Sequence, residues 1–208
     1  MARFLHRVRL ENYKSIARCD VELQDVTFLV GPNGAGKSNF LDALNFLASA
    51  IRLSLSRELA RRHGMAPTAR RGKDWLKIDI ESGDARYAVH LFNSDPPIIR
   101  EYFSLKDNSM HYISSEDGID VLHPVDYPLG EYLKPLVSMH DDFILSDIAK
   151  DYPFPSQIAS CRFFAFIPNH FLIPEPSARD AEIEWDGRYL ASVLRNLQTE
   201  SPDDLARI

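Results

Sequence analysis

An unbroken β-branched and apolar run, Val26-Thr27-Phe28-Leu29-Val30, leads directly into Gly31-Pro32-Asn33-Gly34-Ala35-Gly36-Lys37-Ser38, and a helical stripe follows. This order of strand, glycine-rich loop and helix restricts the fold more than any other feature of the chain. The loop fits the pattern G-x-x-x-x-G-K-[ST], in which each fixed position has a physical task. Gly31, Gly34 and Gly36 are expected to open backbone angles closed to other residues, so that successive amides point at phosphate oxygens. Pro32, Asn33, Ala35 and Asn39 complete the stretch that would line the nucleotide. Lys37 is expected to reach the β- and γ-phosphates and Ser38 to ligate Mg²⁺. The helix that starts here turns its positive end to the same anion. An apolar run bounded in this way predicts a strand buried on both faces.

After the loop, Phe40, Leu44, Leu47, Ile51 and Leu55 recur at steps of three and four, widened by Leu41 and Ala48. That stripe predicts one long amphipathic helix. Its end is expected where Arg61-Arg62-His63 meets Gly64, with cations in the last turn and a glycine beyond.

Alternation predicts the remaining strands. Phe4, His6, Val8 and Leu10 share one face against Arg7, Arg9 and Glu11, with a turn at Asn12-Tyr13-Lys14-Ser15 and a return over Cys19–Leu23. A second β region is expected over 73–115. There Leu76, Ile78 and Ile80 alternate with Lys77, Asp79 and Glu81, and Tyr87, Val89 and Leu91 follow a Ser82-Gly83-Asp84 turn. Ile98–Leu105 and Met110–Ile113 complete an antiparallel meander with one wet face. From 116 to 208 the chain reads as irregular and helical, with eight prolines between Pro124 and Pro176. Short helices are expected near 130–138 and 141–150, and a second core strand within 161–167, at Phe163-Phe164-Ala165-Phe166-Ile167. Asp186 is expected to cap a helix striped by Leu190, Val193, Leu194 and Leu197. Ser201-Pro202-Asp203-Asp204 then supplies a cap, a proline at the first helical position and two acids. A helix that starts so close to Ile208 cannot hold itself together, so the fold is expected to continue beyond this segment or on a partner.

Charge and composition narrow the function. No run of 18 apolar residues is present, which argues against a membrane span. Met1–Arg7 carries charge where a signal peptide is apolar. Cys19 and Cys161 have neither C-x-x-C nor metal spacing, which points to a reducing cytoplasm without a disulfide. A net charge of −6 argues against a protein that coats nucleic acid over its whole surface. It still allows a local basic contact, and Arg57, Arg61, Arg62, His63, Arg70, Arg71 and Lys73 form the best one. Its bland reading is a solvated helix end, and nothing aromatic is interleaved for base stacking. Asp141, Asp142, Asp147 and Asp151 read as a solvated face before a metal site. The seven histidines show no zinc spacing.

Leu10-Glu11-Asn12-Tyr13-Lys14-Ser15-Ile16 together with Val26–Leu44 resembles the ABC-type ATPases of the RecF/SMC branch, including RecF-like predicted AAA ATPases of bacterial defence systems. Asp186-Gly187-Arg188-Tyr189-Leu190-Ala191-Ser192-Val193-Leu194 resembles a later segment of the same proteins. The fold class this implies is α/β: a P-loop NTPase N-terminal lobe, with a P-loop core over 1–64 and an antiparallel β subdomain over 73–115, its C-terminal lobe lying outside the chain. The resemblance further implies Mg-ATP sandwiched between two protomers, the second bringing a signature loop, with turnover coupled to DNA repair or defence through DNA or a nuclease effector. By the same analogy Lys14 approaches the phosphates, and Asn169 stands where a Mg²⁺-sensing glutamine is expected. No apolar strand in the chain ends in Asp-Glu. Leu76–Glu81 alternates and so is not that buried strand, and Leu145-Ser146-Asp147 lacks the glycine of a signature loop. The expectation is therefore an ATP-binding lobe that turns over little ATP alone, since phosphoryl transfer needs a positioned water as well as a phosphate cradle. The competing expectation is a nucleotide-sensing interaction module without catalysis. A guanine-selecting N-K-x-D is absent, and the long β excursion fits a small-molecule kinase poorly.

Overall fold

The computed structural model describes residues 5–83, 85–94, 97–105, 108–115, 118–122, 153–164, 183, 186 and 188–206. They fall into two compact units, 1–161 and 162–208. In the first unit, β1 (Arg7–Tyr13) and β2 (Ile16–Glu22) form a hairpin whose turn is Lys14–Ser15, with Tyr13 opposite Ile16. On its other edge β1 pairs antiparallel with β3 (Trp75–Ser82), from Arg7↔Glu81 to Glu11↔Lys77. A meander follows through β4 (Ala85–Phe92), β5 (Ile98–Leu105), β6 (Asn108–Ser115) and β7 (Gly118–Leu122). The sheet order is β2-β1-β3-β4-β5-β6-β7. The expected meander is present, and it shares one continuous sheet with the first hairpin.

The excursion between β2 and β3 carries the glycine-rich loop, α1 (Lys37–Arg52) and α2 (Leu55–Arg61). One face of the sheet contributes Val8, Leu10, Leu76, Ile78, Ile80, Tyr87, Val89, Leu91, Ile99 and Phe103 to the core. Phe40, Ala43, Phe46, Leu47, Ala50 and Ile51 of α1 are buried as well, so the predicted stripe is the helix's inner face. A third helix, α3 (Pro153–Ser160), packs on α1, and its Phe154 stacks on Phe103 with ring centroids 6.2 Å apart.

Four expectations need correcting or refining. The stripe from Phe40 to Leu55 belongs to two helices. The Ser54 side chain accepts the Arg57 amide and so starts α2 where the periodicity alone reads straight through. The second helix ends at Arg61 with the expected cations and glycine, but its close is shared: His63 and Gly64 are both left-handed at φ 62 and 98, with the His63 amide on Ala60 O and the Gly64 amide on Leu59 O. Phe163 and Phe164 lie outside any strand, and Phe164 is exposed. In the second unit the helix α4 (Leu190–Glu200) starts from Tyr189 without a side-chain cap. The buried Asp186 instead accepts the backbone and side-chain N–H groups of Arg188, closing a local turn.

The largest departure concerns Val26–Val30. These residues form no strand, and Val26, Phe28 and Val30 are 70, 84 and 92 % exposed. A strand is buried only between neighbours, and among the described residues every strand is already spent on the antiparallel sheet. Locally, the Gln24 amide donates to Thr27 Oγ1 and starts a turn instead. The wet face of the sheet also holds a surprise. Asp79, expected in solvent, is 1 % exposed, because Arg86 clamps both its carboxylate oxygens and Arg9 closes over it. The predicted helices at 130–138 and 141–150, the acidic residues Asp141–Asp151, residues 165–167 and Asn169 lie outside the described residues.

Candidate nucleotide site

The loop geometry follows from its glycines. Gly34 and Gly36 take φ 82 and 92, the left-handed region that disfavours side chains, whereas Gly31 has no positive φ. A Cβ on Gly31 would meet only Ala35 Cβ at an ordinary 3.6 Å. Gly36 is also tightly placed, since its Cβ would sit 3.3 Å from Ile16 Cγ1 and 3.6 Å from Ser15 Oγ. The loop thus rests on the turn of the first hairpin. Asn39 Nδ2 ties the same turn down by donating to Ser15 Oγ at 2.7 Å.

The helix start suits an anion. Gly36 stands at the N-cap of α1 with no side chain bonding to the first amides, and the first turn holds no acid. Among the described residues no carbonyl or side chain accepts the amides of Gly34, Gly36, Lys37 or Ser38. These are donors a phosphate uses, beside the positive end of the helix dipole. Lys37 Nζ donates to Gly31 O at 2.7 Å and Pro32 O at 2.8 Å, so its charge is held over the loop. Ser38 follows in the first turn, where its hydroxyl is free to ligate a cation. Pro32, Asn33 and Ala35 supply the loop backbone, closed by the Ala35 amide on Pro32 O. Mg-ATP therefore fits what the residues offer: unpaired amides, an ammonium and a hydroxyl. Among the described residues no cluster of three His, Cys, Asp or Glu side chains could hold a metal by itself.

Lys14 occupies the hairpin turn at φ 45, with its amide on Thr68 O. Its ammonium lies 2.6 Å from Asp42 Oδ2, part-way down α1. The same oxygen accepts Tyr13 OH at 2.8 Å and Arg62 Nη1 at 2.7 Å. Arg62 continues to Glu58, which Arg61 also grips through Nε and Nη2. The Arg62 guanidinium lies 5.2 Å from the Phe46 ring centroid. Burial would lift the Asp42 carboxyl, but hydrogen bonds from Arg62, Lys14 and Tyr13 outweigh it and hold it at about 2. Burial likewise opposes Glu58, and Arg61 and Arg62 bring it below its ordinary value. The Tyr13 phenol moves the other way, raised chiefly by burial.

Sequence reasoning singled out Lys14, Lys37 and Ser38, and it read Arg62 only as part of a basic contact; it did not single out Tyr13, Asp42 or Glu58. One signal was available: Asp42 is a lone charge inside Phe40-Leu41-Asp42-Ala43-Leu44. Tyr13 also faces inward against the strand alternation, because Asn12 takes φ 53 and shifts the two-residue period. Within the basic segment, Arg61 and Arg62 are committed to Glu58 and Asp42. Arg57, His63, Arg70, Arg71 and Lys73 are exposed and make no ion pair among the described residues. Cys19 and Cys161 are free thiols. No helix among the described residues is long and apolar enough to cross a membrane.

Comparison with known proteins finds a family and several relatives. The family model described as "AAA ATPase domain" matches residues 4–169. The DNA replication and repair protein RecF of Porphyromonas gingivalis is 34 % identical over 135 residues, covering 60 % of this chain and 34 % of that protein. The protein of the same name from Chloroflexus aggregans is 39 % identical over 61 residues, 28 % of this chain and 16 % of its own. Structural maintenance of chromosomes protein 1 of Schizosaccharomyces pombe is 45 % identical over 49 residues, 23 % of this chain and 4 % of its own. The chain thus spans about a third of the length of the first of these relatives.

Proposed function

The chain belongs to the AAA ATPase domain family, and from that premise we propose that it is the ATP-binding lobe of an ABC-type, RecF/SMC-like ATPase. The observation that carries this reading is the uncapped start of α1 at Lys37, behind two left-handed glycines. Gly31 to Asn39 hold the phosphates, Lys37 neutralises the terminal ones, Ser38 ligates Mg²⁺, and Lys14 approaches from the hairpin turn. Mg²⁺ in such a site draws charge from the β- and γ-oxygens. The remaining catalytic groups, an acidic pair and a signature loop, come from a C-terminal lobe and a second protomer in an ATP-bridged dimer. The same lobe supplies the neighbours that would cover the exposed Val26, Phe28 and Val30.

Equilibrium binding and turnover assays on the 208-residue chain test this reading. It is expected to bind Mg-ATP and to release phosphate at a rate near background. Robust hydrolysis that disappears in Lys37→Ala would show that the chain carries its own water-activating group, and would overturn the half-site reading.

DNA is the cargo we propose, in the cytoplasm, and two of the relatives are named for DNA replication and repair. The supporting feature is the exposed set Arg57, Arg70, Arg71 and Lys73, free of ion pairs among the described residues. Cations of this kind bind phosphate backbone with a strong salt dependence. Replacing Arg70, Arg71 and Lys73 together by alanine is expected to lower the slope of log K against log salt by about two to three. An unchanged slope would remove this segment from the DNA reading.

A further inference from the structure

The Lys14–Asp42 pair has an asymmetry that the phosphate cradle does not use. Three donors converge on one carboxylate oxygen: Lys14 Nζ at 2.6 Å, Arg62 Nη1 at 2.7 Å and Tyr13 OH at 2.8 Å. Two of them are fixed. Tyr13 is fully buried, and the Arg62 side chain is only 9 % exposed, with Glu58 holding its other side. Lys14 is the releasable donor, its side chain 33 % exposed. If it leaves, Asp42 keeps Arg62 and Tyr13, so no carboxylate is stranded without a partner.

Position gives the ammonium a second destination. The Lys14 backbone is pinned to Thr68 O, and the next residue, Ser15, touches Asn39 and lies against Gly36. Asp42 lies four residues past Ser38, about 6 Å along the helix axis. The flexible four-carbon stem of a lysine covers a swing of that size without backbone motion. Lys37, by comparison, rests its ammonium on Gly31 O and Pro32 O within the loop itself.

We infer that Asp42 is a positioning residue that parks the Lys14 ammonium and yields it to the terminal phosphate of a nucleoside triphosphate, so that the strength of this pair sets the preference for triphosphate over diphosphate. This inference rests on the nucleotide-site reading and on Lys14 as a phosphate ligand. Parking lowers the apparent affinity for the ligand that needs the free lysine, by the fraction of time the lysine is held elsewhere. A diphosphate, which does not reach Lys14, is unaffected.

Mg-ATP and Mg-ADP affinities of the full chain and its variants test the inference. Asp42→Asn is expected to tighten ATP about threefold, the scale of a partly exposed ion pair, and to leave ADP unchanged. Lys14→Met is expected to weaken ATP and spare ADP, and the double variant to match Lys14→Met. In the unmodified chain the ε-carbon resonance of Lys14, assigned by its loss in Lys14→Met, is expected to shift with Mg-ATP and not with Mg-ADP. That measurement holds even if Asp42→Asn fails to fold. Equal shifts for both nucleotides, weaker ATP binding in a folded Asp42→Asn, or no ATP effect of Lys14→Met would overturn the latch. ATP binding that survives Lys37→Ala would instead overturn the nucleotide-site reading beneath it.

Discussion

Lys37→Ala is expected to lower Mg-ATP affinity about a hundredfold while leaving the melting temperature of the chain where it was. The two halves of this result have separate physical origins. Among the described residues the Lys37 ammonium bonds only to the carbonyl oxygens of Gly31 and Pro32, in an exposed loop. Its removal exposes no core and strands no buried charge, so stability changes by less than ~0.5 kcal/mol. Toward a triphosphate, the same ammonium makes charge-assisted hydrogen bonds worth about 3 kcal/mol together, which is about a hundredfold in affinity. Gly36→Ala, by contrast, is expected to affect folding and binding together. The residue sits at φ 92, with its missing Cβ directed at Ile16, so alanine costs about 1–2 kcal/mol of stability as well as the site. Calorimetry with Mg-ATP, paired with thermal melts of both variants, reads the difference. A Lys37→Ala chain that binds ATP as the parent does would show that the loop is not the phosphate site.

Arg62→Ala is expected to destabilise the chain by about 3 kcal/mol, the cost of breaking a buried ion pair from one side. For a chain of this length that is a fall of about 6–12 °C in melting temperature. Arg62 is the common partner of Asp42, Glu58 and Tyr13, and it covers the Phe46 ring. Alanine leaves Glu58 buried with Arg61 alone and Asp42 with Lys14 and Tyr13. Arg61→Ala is the control: its side chain is 59 % exposed, and its loss is expected to cost under ~1 kcal/mol. If the two variants melt together, the network is not holding α2 onto α1 and the hairpin.

Acid attacks the same network from the carboxylate side. The folded Asp42 carboxyl stands at about 2, below its ordinary 3.8. A depressed carboxyl contributes stability that is complete above the unfolded value and lost as pH falls through the folded one. That contribution is about 2 kcal/mol, vanishing between roughly pH 4 and pH 2. Glu58 shifts in the same direction and adds to the loss. In Arg62→Ala, which removes a part-buried hydrogen bond to Asp42, the acid transition is expected to move to higher pH.

The glycine-rich loop was legible because its constraints are local. Gly34 and Gly36 need left-handed angles, Lys37 and Ser38 must follow at fixed spacing, and all lie within one turn and one helix start. The strands of the meander were legible for a similar reason. Leu76, Ile78 and Ile80, like Tyr87, Val89 and Leu91, show a two-residue period that survives in the sheet, and all are buried there. The break between α1 and α2 was readable in principle from Ser54, a good N-cap that the apolar periodicity outvoted.

The remainder depended on chain partners that no local pattern encodes. Val26–Val30 has the composition of a buried strand, but composition sets only the capacity to be buried, and pairing requires neighbours. The Asp42 network joins residues 13, 14, 42, 58 and 62, whose side chains meet only after the hairpin lies along α1 and α2 packs back. In sequence, Arg62 looked like one of several solvated cations, and nothing marked Asp42 as its partner. The sequence by itself determined the turn of the glycine-rich loop and which faces of helix and strand seek the core, because both follow from backbone angles and periodicity. Tertiary structure alone decided which charges are paired and which strand is covered, because electrostatic and sheet partners are chosen by distance in space.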